Sequence, residues 1–359
     1  MRYIYTYLFI FIVLGACQTN EQKQSSSLQD TTAVADKHIS LRHDEARQMV
    51  DVFVDGQPFT TYRYDSALKK PVLFPIRSSN GTVITRGYPL EPRVGEQADH
   101  LHHVGHWLNH GVVNQVDFWA STSKTETTEN KVYGAIVQRE VQMEEMGEQA
   151  KLTYVADWIS DYGDTLLLEE TTFTFMGEGP FRLIDRESTL KATKDSVVFE
   201  DSKEGMMAIR VARFMEQAYD NPQEIINEKG EISEEEIIDN THVKGLYRSD
   251  QGLEGDAVWG TRSKWVNLSS DQDSLHYSIT IMDHPDNINH PTHWMARGYG
   301  LFAANPLGSK VYSEGTEELN LTLAPSESIS FKYRILVYQG EQLSLEELEA
   351  KYQDYISLR

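Results

Sequence analysis

The sequence predicts an all-β fold, a large β-sandwich closed by one C-terminal helix. Many short segments alternate polar with apolar residues and are rich in Val, Ile, Thr, Phe and Tyr, the pattern of half-buried strands. Turn residues separate these segments, as at Gly177–Pro180. The chain has neither a G-x-G-x-x-G loop nor a Walker lysine loop, so nucleotide-binding β-α units are not indicated.

The alternation is clearest over 171–175 and 330–338. We also predict a short turn opened by Asp99 that runs into a strand at about 111–119. Strands at such short spacing favour a sandwich or a barrel over alternating β-α units. Including the strands that contain these two segments, the predicted strands cover 49–54, 82–86, 132–143, 150–157, 165–176, 181–192, 196–200, 207–213, 275–282, 319–324 and 329–338.

The C-terminal helix is predicted from its capping residues and its apolar spacing. Ser344 and Glu347 have the spacing of a capping box, in which each side chain bonds to the backbone of the other. Apolar residues then recur at helical spacing, which predicts a helix packed on the sandwich. They are Leu345, Leu348, Tyr352 and Ile356.

The N-terminus predicts an exported protein held by a lipid. Arg2 precedes an apolar run over 3–16, too short for a membrane span, and Leu14-Gly15-Ala16-Cys17 resembles a bacterial lipobox. We therefore predict a signal peptide at 1–17 lipidated at Cys17, a flexible tether at 18–38 and one β-sandwich domain at 39–359. The cell envelope is the expected location. The alternative is an ordinary secretory signal with an incidental cysteine.

Charge and cysteine content exclude several classes of function. The chain has 33 Lys and Arg against 55 Asp and Glu, a formal charge of −22. Such a surface repels phosphate backbones, so nucleic acid is not an expected partner. Cys17 is the only cysteine, so the folded body has no disulfide and no cysteine nucleophile.

Five of the twelve histidines fall between His100 and His110. Imidazole changes charge near neutral pH and is the commonest metal ligand, so the cluster indicates proton transfer or metal binding. Spacing leaves its geometry open. As a helix, His102, His106 and His110 share a face, and as a strand His100 joins them. The alternative is a solvated polar loop.

A second polar group spans Asp283 to His293, and two separated groups suggest one site built from two parts of the fold. Glu204 lies in a Lys-Glu-Gly sequence after a strand, where it could face a cleft or form a charged turn. Arginines among aromatic residues are candidate ligand clamps, because aromatic faces stack on sugars and arginine binds hydroxyls or carboxylates. They are Arg63, Arg86, Arg262 and Arg297.

These motifs together resemble the PmoA-like family over about residues 45–340. The resemblance rests on Tyr62-Arg63-Tyr64, Pro71–Arg77, Thr85–Pro89, Asp99–Trp107, His110-Gly111, Asn114, Asp117-Phe118-Trp119, Lys203-Glu204-Gly205, Trp259–Trp265, Asp283–Asn287, Pro291–Gly300 and Ala303–Gly308. It implies a β-rich fold similar to the sandwiches of sugar mutarotases, and a role in bacterial sugar degradation. Relatives often carry other residues at Leu101, Val104 and His106, which makes His106 a weaker candidate.

From these observations we predict a lipid-anchored carbohydrate-active enzyme that acts by His and Glu acid-base chemistry. Its expected partners are a carbohydrate or other small-molecule substrate and the membrane. The catalytic candidates are His100, His103, His110 and Glu204. The substrate-binding candidates are Arg63, Arg86, His102, Asn114, Arg262, Asp283, His284, Asn287, Trp294 and Arg297.

Two alternatives stay open. One is a metal-dependent enzyme in which histidines hold a divalent ion, which includes the oxygenase label of the resembled family. The other is a sugar-binding lipoprotein without catalysis. In every case we expect His100, His103 and His110 to share one cleft with Glu204 or His284.

Overall fold

The computed structural model describes residues 39–357, which belong to one compact unit. The predicted signal peptide with Cys17 and the predicted tether lie outside these residues. The strands are β1 (Ile39–Asp44), β2 (Met49–Val54), β3 (Gln57–Arg63), β4 (Val72–Ile76), β5 (His106–Leu108), β6 (Val116–Asp117), β7 (Val132–Glu145), β8 (Gln149–Ser160), β9 (Thr165–Glu178), β10 (Phe181–Ala192), β11 (Val197–Phe199), β12 (Met207–Arg210), β13 (Leu246–Ser249), β14 (Trp265–Gln272), β15 (Leu275–Asp283), β16 (His293–Ala296), β17 (Leu301–Asn305), β18 (Leu321–Leu323) and β19 (Ser328–Gly340).

These strands form two large sheets. The first has the order β1-β2-β3-β4-β5-β12-β17-β16, the second has the order β13-β14-β15-β19-β10-β9-β8-β7-β6, and β11 pairs with β18. The sheets pack face to face, since Tyr62 of β3 stacks on Tyr154 of β8 with ring centroids 5.1 Å apart. The predicted all-β sandwich is therefore confirmed.

The space between the sheets contains an ion pair that the core fully surrounds. Arg186 of β10 lies 3.0 Å from Glu169 of β9, and the hydroxyl of Tyr154 donates to the same carboxylate at 2.6 Å. Trp158 adds an indole N–H at 2.8 Å. Burying a charge is costly unless it is paired and hydrogen-bonded, and this pair meets both conditions.

The helices are short except at the C-terminus. They are α1 (Ser309–Tyr312), α2 (Leu345–Ser357) and the 3-10 turns Arg213–Met215 and Gly255–Val258. The predicted C-terminal helix is α2, and its capping box is formed, with the Ser344 N–H donating to Glu347 at 2.8 Å. None of the helices between residues 39 and 357 is long and apolar enough to cross a membrane.

Two predicted strands are wrong. Residues 82–86 make only isolated bridges, at Val83 and Thr85. The strand predicted at 111–119 is reduced to β6, because Asn114 and Gln115 have φ of 48° and 66° and cannot continue an extended chain. The regular strand instead lies inside the histidine segment, as β5.

Candidate functional site

Strand pairing brings the histidine segment next to Glu204, about a hundred residues further along the chain. β5 pairs antiparallel with β12, with Trp107 opposite Ala208. The pairing continues beyond the strands, since the Gly111 N–H donates to the Glu204 carbonyl at 2.8 Å. The two chemically richest parts of the sequence therefore meet at one end of the β5–β12 strand pair, in the interior of the first sheet.

A cleft of about 560 Å³ opens at this end of the strand pair. Its walls come from the histidine segment, the loop before β7, the segment that leads into β12 and the β16–β17 turn. Of the predicted site residues, His100, His102, His103, Glu204 and Arg297 line it. The other lining residues include Gln115, Asp117, Trp119, Asn130, Lys131, Glu200, Ser202, Lys203, Met295 and Tyr299.

His103 is the most deeply buried imidazole of the cleft wall, at 1% exposure. Burial first, and then the neighbouring His102 and Arg210, hold the pKa of His103 well below 6.5, so the ring is neutral near pH 7. Arg210 can only donate, and its Nη1 lies 3.4 Å from His103 Nδ1. Nδ1 is then the acceptor, Nε2 carries the proton, and Nε2 has no hydrogen-bond partner.

His103 belongs to a column of parallel rings that fixes its orientation. His100 lies on one face at 4.7 Å and Trp107 on the other at 5.3 Å. Tyr299 in turn stacks on His100 at 5.4 Å. His102 meets His103 edge-on at 4.3 Å, and burial followed by the charge of Lys70 lowers the pKa of His102 to about 3. Both deeper histidines of the wall are therefore uncharged at neutral pH.

A buried charge network supports the turn that carries these rings. Arg86, which is fully buried, bonds to the Asp99 carboxylate and donates to the carbonyls of His100 and His103 at 3.0 and 3.1 Å. Arg210 donates to the same carboxylate at 2.8 Å. Burial alone would raise the pKa of Asp99, but Arg210, the His100 hydrogen bond and Arg86 outweigh it, and the pKa lies well below its ordinary value.

Glu216 lies on the inner side of this network, 4.0 Å from Arg210, and accepts from Gln97 at 2.9 Å. Burial raises the pKa of Glu216 from 4.5 to about 7, although Arg210 and Arg86 oppose the shift. Between about pH 4.5 and pH 7, Glu216 is therefore protonated in the folded state and ionised in the unfolded state. We expect its contribution to the free energy of unfolding to fall as pH rises through this range and to stay constant above it.

We predict that Glu216→Gln flattens this dependence, because glutamine keeps the acceptor oxygen for Gln97 but cannot ionise. Urea unfolding at pH 5 and pH 8 measures the difference for each protein. Wild type should lose more stability than the variant between the two pH values. Parallel losses in both proteins would show that Glu216 does not titrate in this range.

Glu204 is held at the cleft by its own segment. Its carboxylate accepts from the Ser202 hydroxyl at 3.2 Å and lies 3.4 Å from Lys203 Nζ. Asn305 fixes the backbone behind it by donating to the carbonyls of Ser202 and Lys203, both at 2.9 Å. The Glu204 side chain is 37% exposed, so it is open to a ligand.

Two histidines of the segment face away from the cleft. His110 is buried behind the Glu204 segment, where its Nε2 bonds to the Glu200 carbonyl at 2.7 Å, and burial lowers its pKa to about 4. The prediction that His110 lines the same cleft is therefore wrong. His106 points between the sheets, with Nδ1 on the Ala208 carbonyl at 2.9 Å and Nε2 3.4 Å from Arg186.

Several predicted substrate-binding residues have structural partners instead. Arg63 pairs with Asp65 at 3.0 Å, and Arg86 lies beneath the histidine turn. Asn114 ties its own turn to the start of β11 through the Ser196 carbonyl and the Val198 N–H. Aromatic residues flank Arg63 and Arg86 as they flank Arg297 of the cleft wall, so the sequence pattern did not separate structural arginines from candidate ligand-binding ones.

The second polar group forms a separate corner. The buried carboxylate of Asp283 accepts from Asn287 at 2.7 Å and pairs with His290 at 2.8 Å, while the His284 ring packs edge-on against Tyr355 of α2. The prediction of one joint site is wrong for this group, because its polar atoms are used to fold the loop. Arg262 and Trp294 also bond to backbone carbonyls outside the cleft wall.

Sequence reasoning missed three residues around the cleft: Arg210, Asp99 as its ion-pair partner, and Tyr299 in the ring column. One signal could have found the first. Arg210 lies in the otherwise apolar run Met206–Ala212, and a charged residue in a buried strand has to be paired. Within residues 39–357, no three His, Cys, Asp or Glu side chains converge to hold a metal ion.

The sequence profile described as "Family of unknown function (DUF6807)" matches residues 49–353, and the chain belongs to that family. This match shows that the predicted membership of the PmoA-like family is wrong. The oxygenase alternative rested on the label of that family and is withdrawn with it. No curated protein matches the sequence.

Solved structures resemble the fold only distantly. The galactosidase domain of the alpha-galactosidase-sucrose kinase AgaSK has 7% identity and a TM-score of 0.37. The match covers 84% of this chain but only 42% of the AgaSK chain. A galactose mutarotase related enzyme from Lactobacillus acidophilus has 6% identity and a TM-score of 0.31, covering 85% of this chain and 99% of that one. A GalM/aldose epimerase homologue from C. elegans has 7% identity and a TM-score of 0.29, with the same coverage. At such low TM-scores, no activity or substrate is carried over.

Proposed function

We propose that this DUF6807 member is a carbohydrate-active enzyme that acts by proton transfer in the cleft beside β5 and β12. One observation carries the proposal: a carboxylate, Glu204, and an imidazole with a free N–H, His103, line the same cleft from distant parts of the chain. Acid-base catalysis needs two such groups within reach of one substrate.

The lining of the cleft suits a ligand with many hydroxyl groups. Gln115, Asn130 and Ser202 offer neutral donors and acceptors, and Trp119 and Met295 offer carbon surface. Tyr299 does not serve as a stacking platform, since His100 covers one side of the ring and Arg210 lies over it as well. We therefore assign recognition mainly to hydrogen bonds, with Trp119 as the apolar wall.

The hydrogen-bond pattern distinguishes the roles of the two groups. His103 Nδ1 accepts from Arg210, so its Nε2–H is a neutral donor rather than a base. A neutral donor stabilises an oxygen on which negative charge develops, and Glu204 is the group that accepts the proton. With Glu204 as the proton acceptor and His103 as the donor to the developing oxyanion, the cleft suits isomerisation or elimination better than simple hydrolysis. Because Nε2 is covered in the free protein, we expect His100 or His102 to move when the substrate binds.

The test is turnover on a panel of neutral, acidic and oxidised (keto) oligosaccharides, followed by mass spectrometry and NMR of the products. We expect at least one sugar to give a product changed in mass or in the position of a proton exchanged with D₂O. Binding without turnover of any member would favour the sugar-binding alternative. If no member is bound or changed, the proposal is wrong.

We also propose that Cys17 anchors the protein to a bacterial envelope membrane, which rests on the Leu14–Cys17 sequence alone. Cys17→Ser should move the protein from the membrane fraction to the soluble periplasmic or secreted fraction, because the lipid acceptor is lost. Ser26→Ala in the predicted tether is the control and should leave the fraction unchanged. A wild-type protein that is soluble with an unmodified Cys17 thiol would overturn the anchor.

A further inference from the structure

Arg297 is the cation of the cleft that lacks an acidic partner. The lysines of the wall are paired, Lys131 with Asp117 at 2.8 Å and Lys203 with Glu204 at 3.4 Å. Arg297 lies in the same wall, on the turn between β16 and β17, and none of residues 39–357 presents a carboxylate to it at ion-pair distance. Its guanidinium therefore keeps its hydrogen-bonding capacity for a ligand.

The side chain of Arg297 is also held in place. Its Cζ lies 4.8 Å from the ring centroid of Trp259, a cation-π contact that restricts the long side chain without using its in-plane N–H groups. The third acidic residue of the wall, besides Asp117 and Glu204, is Glu200, whose carboxylate accepts a hydrogen bond from the Gln115 amide. A fixed guanidinium with unused donors matches the planar, two-oxygen geometry of a carboxylate.

We infer that the substrate is an acidic sugar, a uronic acid residue whose carboxylate is bound by Arg297. The inference rests on the proposed function and names the substrate class of the same cleft. The net charge of −22 repels anions at long range, and this repulsion is largely screened beyond about 8 Å at physiological salt. Selectivity for the acidic sugar has to come from local contact with Arg297.

The test compares matched ligands that differ only in the carboxylate. Oligogalacturonate and its carboxyl-reduced form, and the corresponding glucuronate and mannuronate pairs, are titrated calorimetrically at physiological salt. In at least one pair the wild type should bind the acidic member about tenfold or more tightly, since hydrogen bonds between charged groups are the strong ones. Equal affinity within every pair overturns the inference while leaving the sugar site itself intact.

Variants then assign the preference to one residue. Arg297→Gln should remove most of the preference and leave the affinity for the neutral member within about twofold, and Arg297→Lys should retain part of it. Arg47→Gln, at an exposed position paired with Asp44, is the matched control and should behave like wild type. A preference that persists in Arg297→Gln overturns the inference. If no acidic or neutral sugar binds the wild type, the proposed function fails and this inference fails with it.

Discussion

Glu204→Gln is expected to lower turnover by about 10²- to 10⁴-fold, the usual contribution of a positioned acid or base. Glutamine has nearly the same shape and still accepts from the Ser202 hydroxyl, but it cannot take a proton. The loss should appear in kcat much more than in KM, because the substrate contacts of the other lining residues remain. Steady-state kinetics on the best sugar of the panel measures both constants.

The control for this variant is Glu187→Gln, on an exposed position of β10, which should retain full activity. The melting temperature of Glu204→Gln should stay close to that of wild type, since its carboxylate is part of no buried network. A variant with more than half of the wild-type kcat would remove Glu204 from the proton-transfer role. His103 would then have to act with some other group.

Asp99→Asn is expected to lower the free energy of unfolding by about 3–5 kcal/mol, the usual effect of removing one partner from a buried ion pair. The fully buried guanidinium groups of Arg86 and Arg210 share this carboxylate, and an amide cannot balance their charge. The histidine turn depends on the same contacts, so the variant should also lose sugar binding. Urea unfolding and calorimetry check the two effects.

A matched control removes a carboxylate from an exposed ion pair. Glu318→Gln, at the surface pair with Lys310, should change stability little, because water already solvates both charges. If Asp99→Asn unfolds at the same urea concentration as wild type, Asp99 is not the counter-ion on which the buried arginines depend. The stacked geometry of His103 would then need another support.

The fold was predictable because its signals are local. Alternation of polar and apolar residues identified the long strands β7 to β10, and the capping box at Ser344 identified α2. Local signals failed where the backbone leaves the extended region, as at Asn114 and Gln115. The histidine segment was the hardest case, since Gly105 divides it between a turn and β5.

Gly105 shows the physical reason for that division. Its φ is +56°, and a Cβ there would lie 2.2 Å from the Leu73 carbonyl oxygen, so only glycine fits. This bend directs His103 toward the cleft and His106 into the core. The position of the bend depends on contact with β4, which sequence spacing does not contain.

The candidate site was predictable only in part. The sequence singled out His100, His102, His103, Glu204 and Arg297 by residue type, and the pairing of β12 with β5 and with β17 places them in one cleft. The Asp283 group has the same residue types but uses them to bond its own loop. Composition alone therefore could not separate catalytic candidates from structural polar groups, because only hydrogen-bond partners distinguish them.

A crystal structure of Glu204→Gln with the best sugar of the panel bound tests the proposed proton-transfer site most directly. We expect the sugar in the cleft, with one of its oxygens within hydrogen-bond distance of His103 Nε2 and a carbon that bears the transferred proton facing residue 204. A sugar bound elsewhere on the protein, or one in the cleft that contacts neither residue, would contradict it.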